Sequence, residues 1–318
     1  MKKSNCLIVG RGSIGERHAH ILASMGHEVA FISDRAEGAQ LRSWRYKFLN
    51  QAISEYSPSY VVICNETRHH KSSLHSLVRS GYSGTILIEK PICLTEEREQ
   101  IQHKDNVYVG YHLRCHPLIS SLLKIIRNEQ IEFLNASVGQ YLPDWRPGRN
   151  FRDVYSAKER GGGVLYDLSH EIDLVLFLAG MWRSCTGLVS SSKSLDIESE
   201  SIANIVFDFE SDIVGQVHLN YLERIPRRSI EVQTDSATYQ LDFISQSLKR
   251  NGEVVSSMNA DRNLPYRIMH ESLLNFDPSI GYNSNLCSVE DGLRVVRSIA
   301  ALQIASSQRI WVENDFDL

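Results

Sequence analysis

The residues best suited to chemistry interrupt an otherwise apolar run, Gly161 to Phe177. Within this run, His170 and Glu171 follow Asp167 by three and four residues, so on a helix these polar side chains share one face. Charged groups in an apolar helix need water, a partner or a site, and an imidazole that titrates near neutral pH can take up and release a proton. The pattern therefore predicts a functional site on this helix, and the alternative is a polar stripe that caps the helix.

A lysine forms the second candidate site. The turn Glu89-Lys90-Pro91 follows the strand-like run Gly84 to Ile88, and its proline fixes the chain direction, often through a cis bond. Ligands bind at the carboxyl ends of parallel strands, so we expect Lys90 to lie near the nicotinamide of a bound dinucleotide, with Glu89 in the same binding region. The alternative interpretation is a salt bridge that ends the strand.

The dinucleotide itself is expected at a glycine-rich turn. The run Cys6 to Val9 has strand length, three glycines follow with G-x-G-x-x-G spacing, and Glu16 to Met25 favours a helix. This order is typical of the first half of a Rossmann fold, in which the amino end of the helix offers N–H groups and a partial positive charge to phosphates. The predicted cofactor contacts at this turn are Gly10, Gly12, Ser13, Ile14 and Gly15.

An acidic residue about 20 positions past the turn indicates which dinucleotide binds. The second predicted strand, His27 to Ser33, ends at Asp34, and a carboxylate there would bond the adenosine ribose hydroxyls and repel a 2′-phosphate. We therefore expect Asp34 and Arg35 to contact the cofactor and NAD to be preferred. Ser33 and Arg35 could instead bind the 2′-phosphate of NADP, and Asp34 could be a simple turn residue.

The hydrophobic pattern predicts an α/β scaffold in two parts. Up to residue 114, strands alternate with helices, which predicts a Rossmann domain with a doubly wound parallel sheet over residues 1–114. Closely spaced strand-like runs follow between residues 185 and 243, which predict a mostly antiparallel open sheet in an α+β domain over residues 115–318. One helix is predicted from Val164 to Leu178, closed by Gly180.

Composition argues against several classes of partner. The chain has 318 residues and a net charge of −4, which gives no reason to expect nucleic acid or an anionic membrane surface. No apolar run approaches the roughly 18 residues of a membrane-spanning helix, and the first apolar run is too short for a signal peptide. The six cysteines are scattered and include no C-x-x-C pair, so we expect reduced thiols and a cytoplasmic protein.

Three features in combination resemble one family. The glycine turn followed by His18, the Glu89-Lys90-Pro91 turn, and a GGG-x-x-x-D helix that carries a histidine resemble the Gfo/Idh/MocA family, which includes glucose–fructose oxidoreductase and inositol dehydrogenase. The resemblance spans about the whole chain, since both domains and their order match. It implies an NAD(P)-dependent oxidoreductase that transfers hydride between nicotinamide and a hydroxyl or keto carbon of a sugar, polyol or derivative. It also implies a homodimer or homotetramer.

The resemblance assigns roles to individual residues. Lys90 corresponds to the lysine that orients the substrate hydroxyl or shares its proton, Asp167 to the aspartate that holds the substrate, and His170 to the general acid–base. The family's histidine lies four residues after the aspartate, a place that Glu171 takes here. Either His170 or Glu171 could therefore accept the proton, and both are predicted substrate contacts. The remaining matches are Asn65, Thr67 and His70 as cofactor contacts and Arg114 as a substrate contact.

A basic loop precedes the acid–base candidates. Between residues 144 and 160, five basic side chains outnumber three acidic ones, and aromatic residues accompany them. Arginines near a sugar site bind anionic groups bidentately, so Arg149 and Tyr155 are predicted substrate contacts. The substrate would then be a phosphorylated sugar, a nucleotide sugar or a sugar acid, and the loop also resembles family members of surface-polysaccharide biosynthesis. The alternative is a loop held by its own ion pairs.

Two other classes of function stay open. A hydrolase or epimerase that retains NAD and oxidises its substrate transiently would form no net NADH. A non-catalytic nucleotide sensor would have no need of Lys90, Asp167 and His170 together. The histidine–cysteine spacing at residues 112–116 is followed by proline and lacks a further ligand, so no metal is expected.

Overall fold

The computed structural model describes residues 3–33, 44–95, 105–146, 148–159, 161–275 and 285–314. The chain divides into two compact units, of which the first comprises residues 1–116 and 261–293. The second comprises residues 117–260 and 294–318. The sequence interpretation divided the chain once, after residue 114, so it placed residues 261–293 in the second domain. In the structure this segment returns to the first unit.

A parallel sheet forms the centre of the first unit. Its seven strands, counted over the described residues, are β1 (Asn5–Val9), β2 (Glu28–Ile32), β3 (Trp44–Tyr46), β4 (Tyr60–Ile63), β5 (Thr85–Ile88), β6 (Val107–Val109) and β15 (Cys287–Ser288). Their order is β15-β6-β5-β4-β1-β2-β3, and all neighbours are parallel except β15 and β6. The order from β3 to β6 is that of a doubly wound Rossmann sheet, which confirms the predicted fold class.

Hydrophobic strands and helices explain why this sheet is buried. The β1 side chains from Cys6 to Ile8 and all those of β4 are at most 1% exposed, as expected for strands with helices on both faces. Helix α7 comes from the returning segment, and its residues Tyr266, Met269 and Leu273 join the same core as the first helix. The helices of this unit are α1 (Ser13–Ser24), α2 (Leu49–Gln51), a π-helical turn (Ala52–Tyr56), α3 (His70–Arg79) and α7 (Leu264–Leu274).

A mostly antiparallel sheet forms the second unit. Its strands within the described ranges are β7 (Ile131–Gly139), β8 (Trp182–Ser190), β9 (Ile202–Phe209), β10 (Val214–Asn220), β11 (Arg227–Thr234), β12 (Thr238–Asp242), β13 (Ser247–Arg250), β14 (Glu253–Ser257) and β16 (Val312–Glu313). Their order is β14-β13-β12-β11-β7-β10-β9-β8-β16. Only the pair β7–β10 is parallel among the described strands. The predicted sheet type is thus confirmed.

The helix predicted from Val164 to Leu178 is two helices. The first is α5 (Val164–Asp167) and the second is α6 (His170–Ala179), which packs on β7 and β10. The Ser169 hydroxyl donates to the carbonyl oxygen of Tyr166 over 3.1 Å, a local bond that competes with helical pairing. The prediction of one continuous helix was wrong, so helical spacing cannot place Asp167 and His170 on one face.

The remaining helices of the second unit are α4 (Pro117–Ile125) and α8 (Val289–Gln308), whose first residues belong to the first unit. The run from Thr95 to Arg98 also favours the start of a helix, with Thr95 as its N-cap, but residues 96–104 lie outside the described residues. Of the helices in the described part of the chain, none is long and apolar enough to cross a membrane.

Candidate active site

The glycine-rich turn between β1 and α1 leaves its backbone open to a ligand. Gly10 has φ +106°, and a Cβ there would lie 2.6 Å from the backbone nitrogen of Asn65, so only glycine fits. A Cβ on Gly15 would collide with the carbonyl oxygen of Gly10, so this glycine lets α1 approach β1. Around Gly12, the N-cap of α1, no atom lies within 4 Å of a built Cβ. A phosphate can therefore reach the chain at Gly12.

Unpaired polar groups around this turn fit a dinucleotide. The first N–H groups of α1, including those of Ser13 and Ile14, have no acceptor within the helix. Both terminal guanidinium nitrogens of Arg11 are buried and, among the described residues, have no hydrogen-bond partner. Oδ1 of Asn65 is also buried and unpartnered within those ranges. Because buried polar groups are normally paired, this set fits a ligand that brings phosphates and hydroxyls.

The polar residues after β4 hold the neighbouring turns together. The ring nitrogens of His70 lie 3.0 Å from the carbonyl oxygen of Pro91 and 3.1 Å from that of Asn65. Burial lowers the pKa of His70, so the neutral ring donates one hydrogen bond and ties the turn after β4 to the turn after β5. His70 thus connects the two turns, and its predicted cofactor contact stays a prediction. Thr67 is 7% exposed and begins a 3₁₀ turn, and Nδ2 of Asn65 donates to Ser73 Oγ over 2.9 Å.

The turn after β5 is anchored by a buried carboxylate. Glu89 is 6% exposed, its Oε1 lies 2.8 Å from His18 Nε2, and its Oε2 accepts the backbone N–H of Lys90 over 3.1 Å. Burial opposes ionisation, but the hydrogen bond from His18 and the charges of His18 and Lys90 hold the pKa of Glu89 below its ordinary value. The Lys90–Pro91 peptide is cis. Glu89 therefore stabilises the turn, and its predicted cofactor contact stays a prediction.

Arg114 has a charged partner within the first unit. It is 3% exposed, and its Nη1 lies 3.1 Å from Asp291 Oδ2 at the start of α8. The substrate contact predicted for Arg114 stays a prediction. The predicted cofactor contacts Asp34 and Arg35 lie outside the described residues. No cluster of three possible metal ligands occurs among the described residues.

In the second unit, a hydrogen bond fixes the orientation of the Asp167 carboxylate. The hydroxyl of Tyr221 donates to Oδ2 of Asp167 over 2.7 Å. Burial and the charge of Asp167 raise the pKa of Tyr221 well above its ordinary value, so the hydroxyl keeps its proton and remains a donor. The ring of Trp145 packs edge-on against Tyr221 at 5.2 Å. This support holds Asp167 in one orientation at the end of α5.

The structure separates the two candidate proton acceptors. Glu171 is 1% exposed, and its Oε1 lies 2.8 Å from Nε of Arg228 on β11. This buried ion pair joins α6 to the sheet and gives Glu171 a structural partner, while its predicted substrate contact stays a prediction. His170 is the first residue of α6 and is 5% exposed. Of the two, His170 is the better candidate for proton transfer.

Sequence reasoning missed Glu200, a carboxyl group beside Asp167. Its Oε1 accepts the backbone N–H of Leu165 over 3.0 Å, and its carboxylate lies where a Cβ on Gly163 would be. Burial, together with the charge of Asp167, raises the pKa of Glu200 to about 7. Glu200 stands in an acidic, serine-rich stretch with no motif, so no sequence signal distinguished it. Tyr221, directly after β10, was missed for the same reason.

The raised pKa of Glu200 predicts a specific dependence of stability on pH. Its contribution to folding is fully present below its ordinary pKa of 4.5 and is lost as the pH rises through about 7. The unfolding free energy of Glu200→Gln minus that of the wild type should therefore increase by up to about 3 kcal/mol from about pH 5 to about pH 8.5. Urea unfolding at both pH values measures this difference. The control Glu198→Gln, whose exposed carboxylate pairs with Lys158, should show no such gain, and an equal gain would contradict the assignment.

The basic loop is partly held by ion pairs and partly free. Nε of Arg152 lies 3.7 Å from Oδ2 of Asp196, and Nζ of Lys158 lies 3.1 Å from Glu198 Oε1. Arg149 is exposed, and no described residue pairs with it. Tyr155 is 37% exposed. Both sequence interpretations of the loop therefore apply, to different side chains, and Arg149 stays available for an anionic ligand.

Family models identify the class of protein to which the chain belongs. Residues 4–106 match the model described as an oxidoreductase family with an NAD-binding Rossmann fold. Residues 124–256 match the GFO/IDH/MocA C-terminal domain. The chain belongs to the Gfo/Idh/MocA family of oxidoreductases, and its first unit is an NAD-binding domain. No curated protein sequence matches the chain significantly.

Solved structures show the same fold over nearly the whole chain. Levoglucosan dehydrogenase in complex with NADH is 15% identical, with a TM-score of 0.80, and the match covers 98% of this chain and 99% of that one. UDP-N-acetylglucosamine 3-dehydrogenase GnnA from Acidithiobacillus ferrooxidans is 20% identical, with a TM-score of 0.76 and coverage of 96% and 99%. The WlbA dehydrogenase from Bordetella pertussis, in complex with NADH and UDP-GlcNAcA, is 16% identical, with a TM-score of 0.75 and coverage of 98% and 99%.

Proposed function

We propose that this oxidoreductase is an NAD-dependent dehydrogenase that acts on a hydroxyl carbon of a sugar or sugar derivative. The observation that carries the proposal is the Asp167 carboxylate, which Tyr221 holds in one orientation at 2.7 Å next to the helix that begins with His170. A fixed carboxylate and a nearby imidazole suit the binding of a hydroxyl and the transfer of its proton.

The proposed mechanism assigns a role to each of three side chains. By the family resemblance, Asp167 and Lys90 would each bind the substrate hydroxyl, and His170 would take its proton as the carbon is oxidised. NAD, when bound, accepts the hydride, and Gly12, Ser13 and the other residues of the glycine turn would hold its pyrophosphate. In the reverse direction, His170 returns the proton to the oxygen. Because imidazole titrates near neutral pH, His170 serves both directions.

An anionic sugar derivative is the proposed substrate class. Two dehydrogenases of the same fold are named for, or were solved with, UDP-linked sugars. Arg149 provides an exposed guanidinium on the loop that precedes Asp167 in the sequence, and no described residue pairs with it. A guanidinium binds phosphate or carboxylate through paired hydrogen bonds. The proposal is therefore a nucleotide sugar, a phosphorylated sugar or a sugar acid.

The role of Arg149 can be tested on the loop itself. Arg149→Ala is expected to raise the KM for UDP-N-acetylglucosamine by about tenfold or more, because a charge-assisted hydrogen bond contributes about 1.5–3 kcal/mol. Arg152→Ala is the matched control, since Arg152 pairs with Asp196, and should change that KM less than about twofold. The KM for levoglucosan, a neutral sugar, should not move. An equal rise in the KM for both sugars in Arg149→Ala would show that the arginine does not bind the anionic group.

The activity itself is tested by absorbance of NADH at its nicotinamide band. The protein is supplied with NAD and, in separate reactions, UDP-N-acetylglucosamine, UDP-GlcNAcA and levoglucosan. Net NADH with any of them supports the dehydrogenase. Conversion of the sugar with NAD retained and no net NADH would favour the hydrolase or epimerase class. NAD binding with no change in any sugar would favour a nucleotide sensor.

We also propose that the protein is a homo-oligomer. The second unit exposes apolar side chains on and near its sheet, among them Leu188 at 53%, Val214 at 46% and Ile225 at 83%. Exposed apolar groups of this kind favour association between copies. Native mass spectrometry, which preserves assemblies, would give the subunit number and any retained dinucleotide together, and a monomer at micromolar concentration would contradict the proposal.

A further inference from the structure

Four buried polar side chains form a continuous hydrogen-bonded chain in the first unit, and the proposed mechanism uses none of its bonds. The hydroxyl of Tyr60 lies 2.9 Å from Nδ1 of His270, Nε2 of His270 lies 2.9 Å from Nδ1 of His18, and Nε2 of His18 lies 2.8 Å from Oε1 of Glu89. Tyr60, His270 and His18 are at most 1% exposed. The chain thus links β4, α7 and α1 to the turn that carries Lys90.

The carboxylate at one end fixes which ring nitrogen of His18 donates to it. An ionised Glu89 can only accept, so Nε2 of His18 carries a proton and donates to it. His270 has two partners, Nδ1 of His18 and the hydroxyl of Tyr60, and a neutral ring donates to one of them and accepts from the other. Burial lowers the pKa of His270 well below its ordinary value and raises the pKa of Tyr60 well above its own. Both groups therefore stay neutral, and the fixed charge lies at Glu89.

Glu89 connects the hydrogen-bonded chain to the turn that carries Lys90. Its Oε2 accepts the backbone N–H of Lys90 over 3.1 Å, and a Cβ on Gly110 would lie 3.0 Å from its Oε1, so the carboxylate fits closely against the next strand. We propose that Tyr60, His270 and His18 are positioning residues that keep Glu89 ionised and oriented, and thereby hold Lys90 in place. The inference rests on the proposed function of Lys90. It concerns residues that never touch the substrate.

Other titratable groups around the chain are cationic or neutral. Lys90, His70 and Cys64 face Glu89, and burial raises the pKa of the Cys64 thiol well above its ordinary value. The ring of Tyr266 packs edge-on against His18 at 5.5 Å, and Arg17 lies over Tyr266. At the other end of the hydrogen-bonded chain, Cys6 and Tyr82 contribute to the raised pKa of Tyr60. His27 contributes to the lowered pKa of His270. Ionised Glu89 therefore depends on the donor that His18 presents.

Two substitutions at one position test the inference through the pH profile of kcat. His270→Leu removes the hydrogen-bond partner of His18 Nδ1, so His18 holds Glu89 less firmly and the pKa of Glu89 should rise. On the acid limb of the profile, turnover should fall by up to about tenfold, which corresponds to a rise of one pKa unit, and it should match the wild type near pH 8.5. His270→Gln should keep the wild-type profile, because its amide can donate to His18 and accept from Tyr60. Tyr82→Phe removes a neighbouring hydroxyl outside the chain and should change nothing.

Acid unfolding is a second measurement that needs no turnover. Because the folded-state pKa of Glu89 is depressed, its contribution to stability is present above its ordinary pKa of 4.5 and is lost as the pH falls through the folded-state value. The gap in unfolding free energy between wild type and His270→Leu should therefore narrow from pH 7 to about pH 4. If His270→Leu does not fold, Tyr60→Phe gives the same test with a smaller effect.

Three outcomes would overturn the inference. A pH profile of His270→Leu that matches the wild type would show that the chain does not control Glu89. Equal losses in His270→Gln and His270→Leu at low pH would indicate that His270 transfers a proton, which an amide cannot do. A difference in unfolding free energy between wild type and His270→Leu that does not change with pH would show that these side chains contribute only packing. Absence of turnover in the wild type would instead refute the proposed function, and the unfolding comparison would still decide the inference.

Discussion

Replacing Lys90 by methionine is expected to lower kcat by a factor of about 10² to 10⁴, the range that one positioned proton-transfer group contributes. Methionine keeps the length of the side chain but removes the ammonium group that would hold the substrate hydroxyl. The affinity for NAD should change less than about twofold, because the glycine turn and the first turn of α1 would bind the pyrophosphate. The measurements are initial rates of NADH formation and the Kd of NAD by calorimetry.

A surface lysine provides the control for this variant. Lys47 is exposed on the same unit, and Lys47→Met should leave both kcat and the Kd of NAD unchanged. Lys90→Met with full turnover would remove Lys90 from the proposed mechanism. A parallel loss of NAD affinity would indicate that the substitution disturbs the cofactor domain instead of the chemistry.

The neighbouring pair His170 and Glu171 should respond to substitution in opposite ways. His170→Asn is expected to lower kcat by a factor of about 10² to 10⁴, since it removes the proposed acid–base group. Glu171→Gln should keep kcat within about threefold but lower the unfolding free energy by about 3–5 kcal/mol, because it leaves Arg228 buried without its charge partner. Rates and urea unfolding of both variants measure the contrast.

The buried ion pair offers a check on this second prediction. A double variant, Glu171→Met with Arg228→Met, should recover part of the stability that Glu171→Gln loses, because no charge is then buried alone. The opposite kinetic pattern, with full turnover in His170→Asn and a large loss in Glu171→Gln, would make Glu171 the proton acceptor. That result would agree with the family's usual spacing rather than with the burial of Glu171.

Local patterns explain what could be predicted from the sequence. The Rossmann order follows from the apolar run at β1, the glycine spacing and the alternation of strands and helices, all of which act over a few residues. The antiparallel strands of the second unit follow from alternation and short turns in the same way. The hairpin β13–β14 was missed although Asn251-Gly252, with φ of +48° and +89°, is a turn signal of the expected kind.

Long-range contacts explain what could not be predicted. The return of residues 261–293 to the first unit depends on α7 filling the core beside α1, and no local signal marks that destination. The break between α5 and α6 coincides with a hydrogen bond from the Ser169 hydroxyl to the carbonyl oxygen of Tyr166, which the apolar pattern does not indicate. The partners of Arg114 and Glu171 are Asp291 and Arg228, each far along the chain. Side chains that looked available in the sequence are therefore already paired.

Isotope transfer from a sugar to the cofactor tests the central claim most directly. UDP-N-acetylglucosamine, UDP-GlcNAcA and levoglucosan, each deuterated at its ring carbons, are incubated with NAD and either the wild type or Asp167→Asn, and the mass of the NADH formed is measured. The account predicts one deuterium in the nicotinamide ring with at least one anionic sugar, and a rate lower by about 10² or more in Asp167→Asn. NAD that binds tightly yet gains no deuterium from any of these sugars would contradict the account.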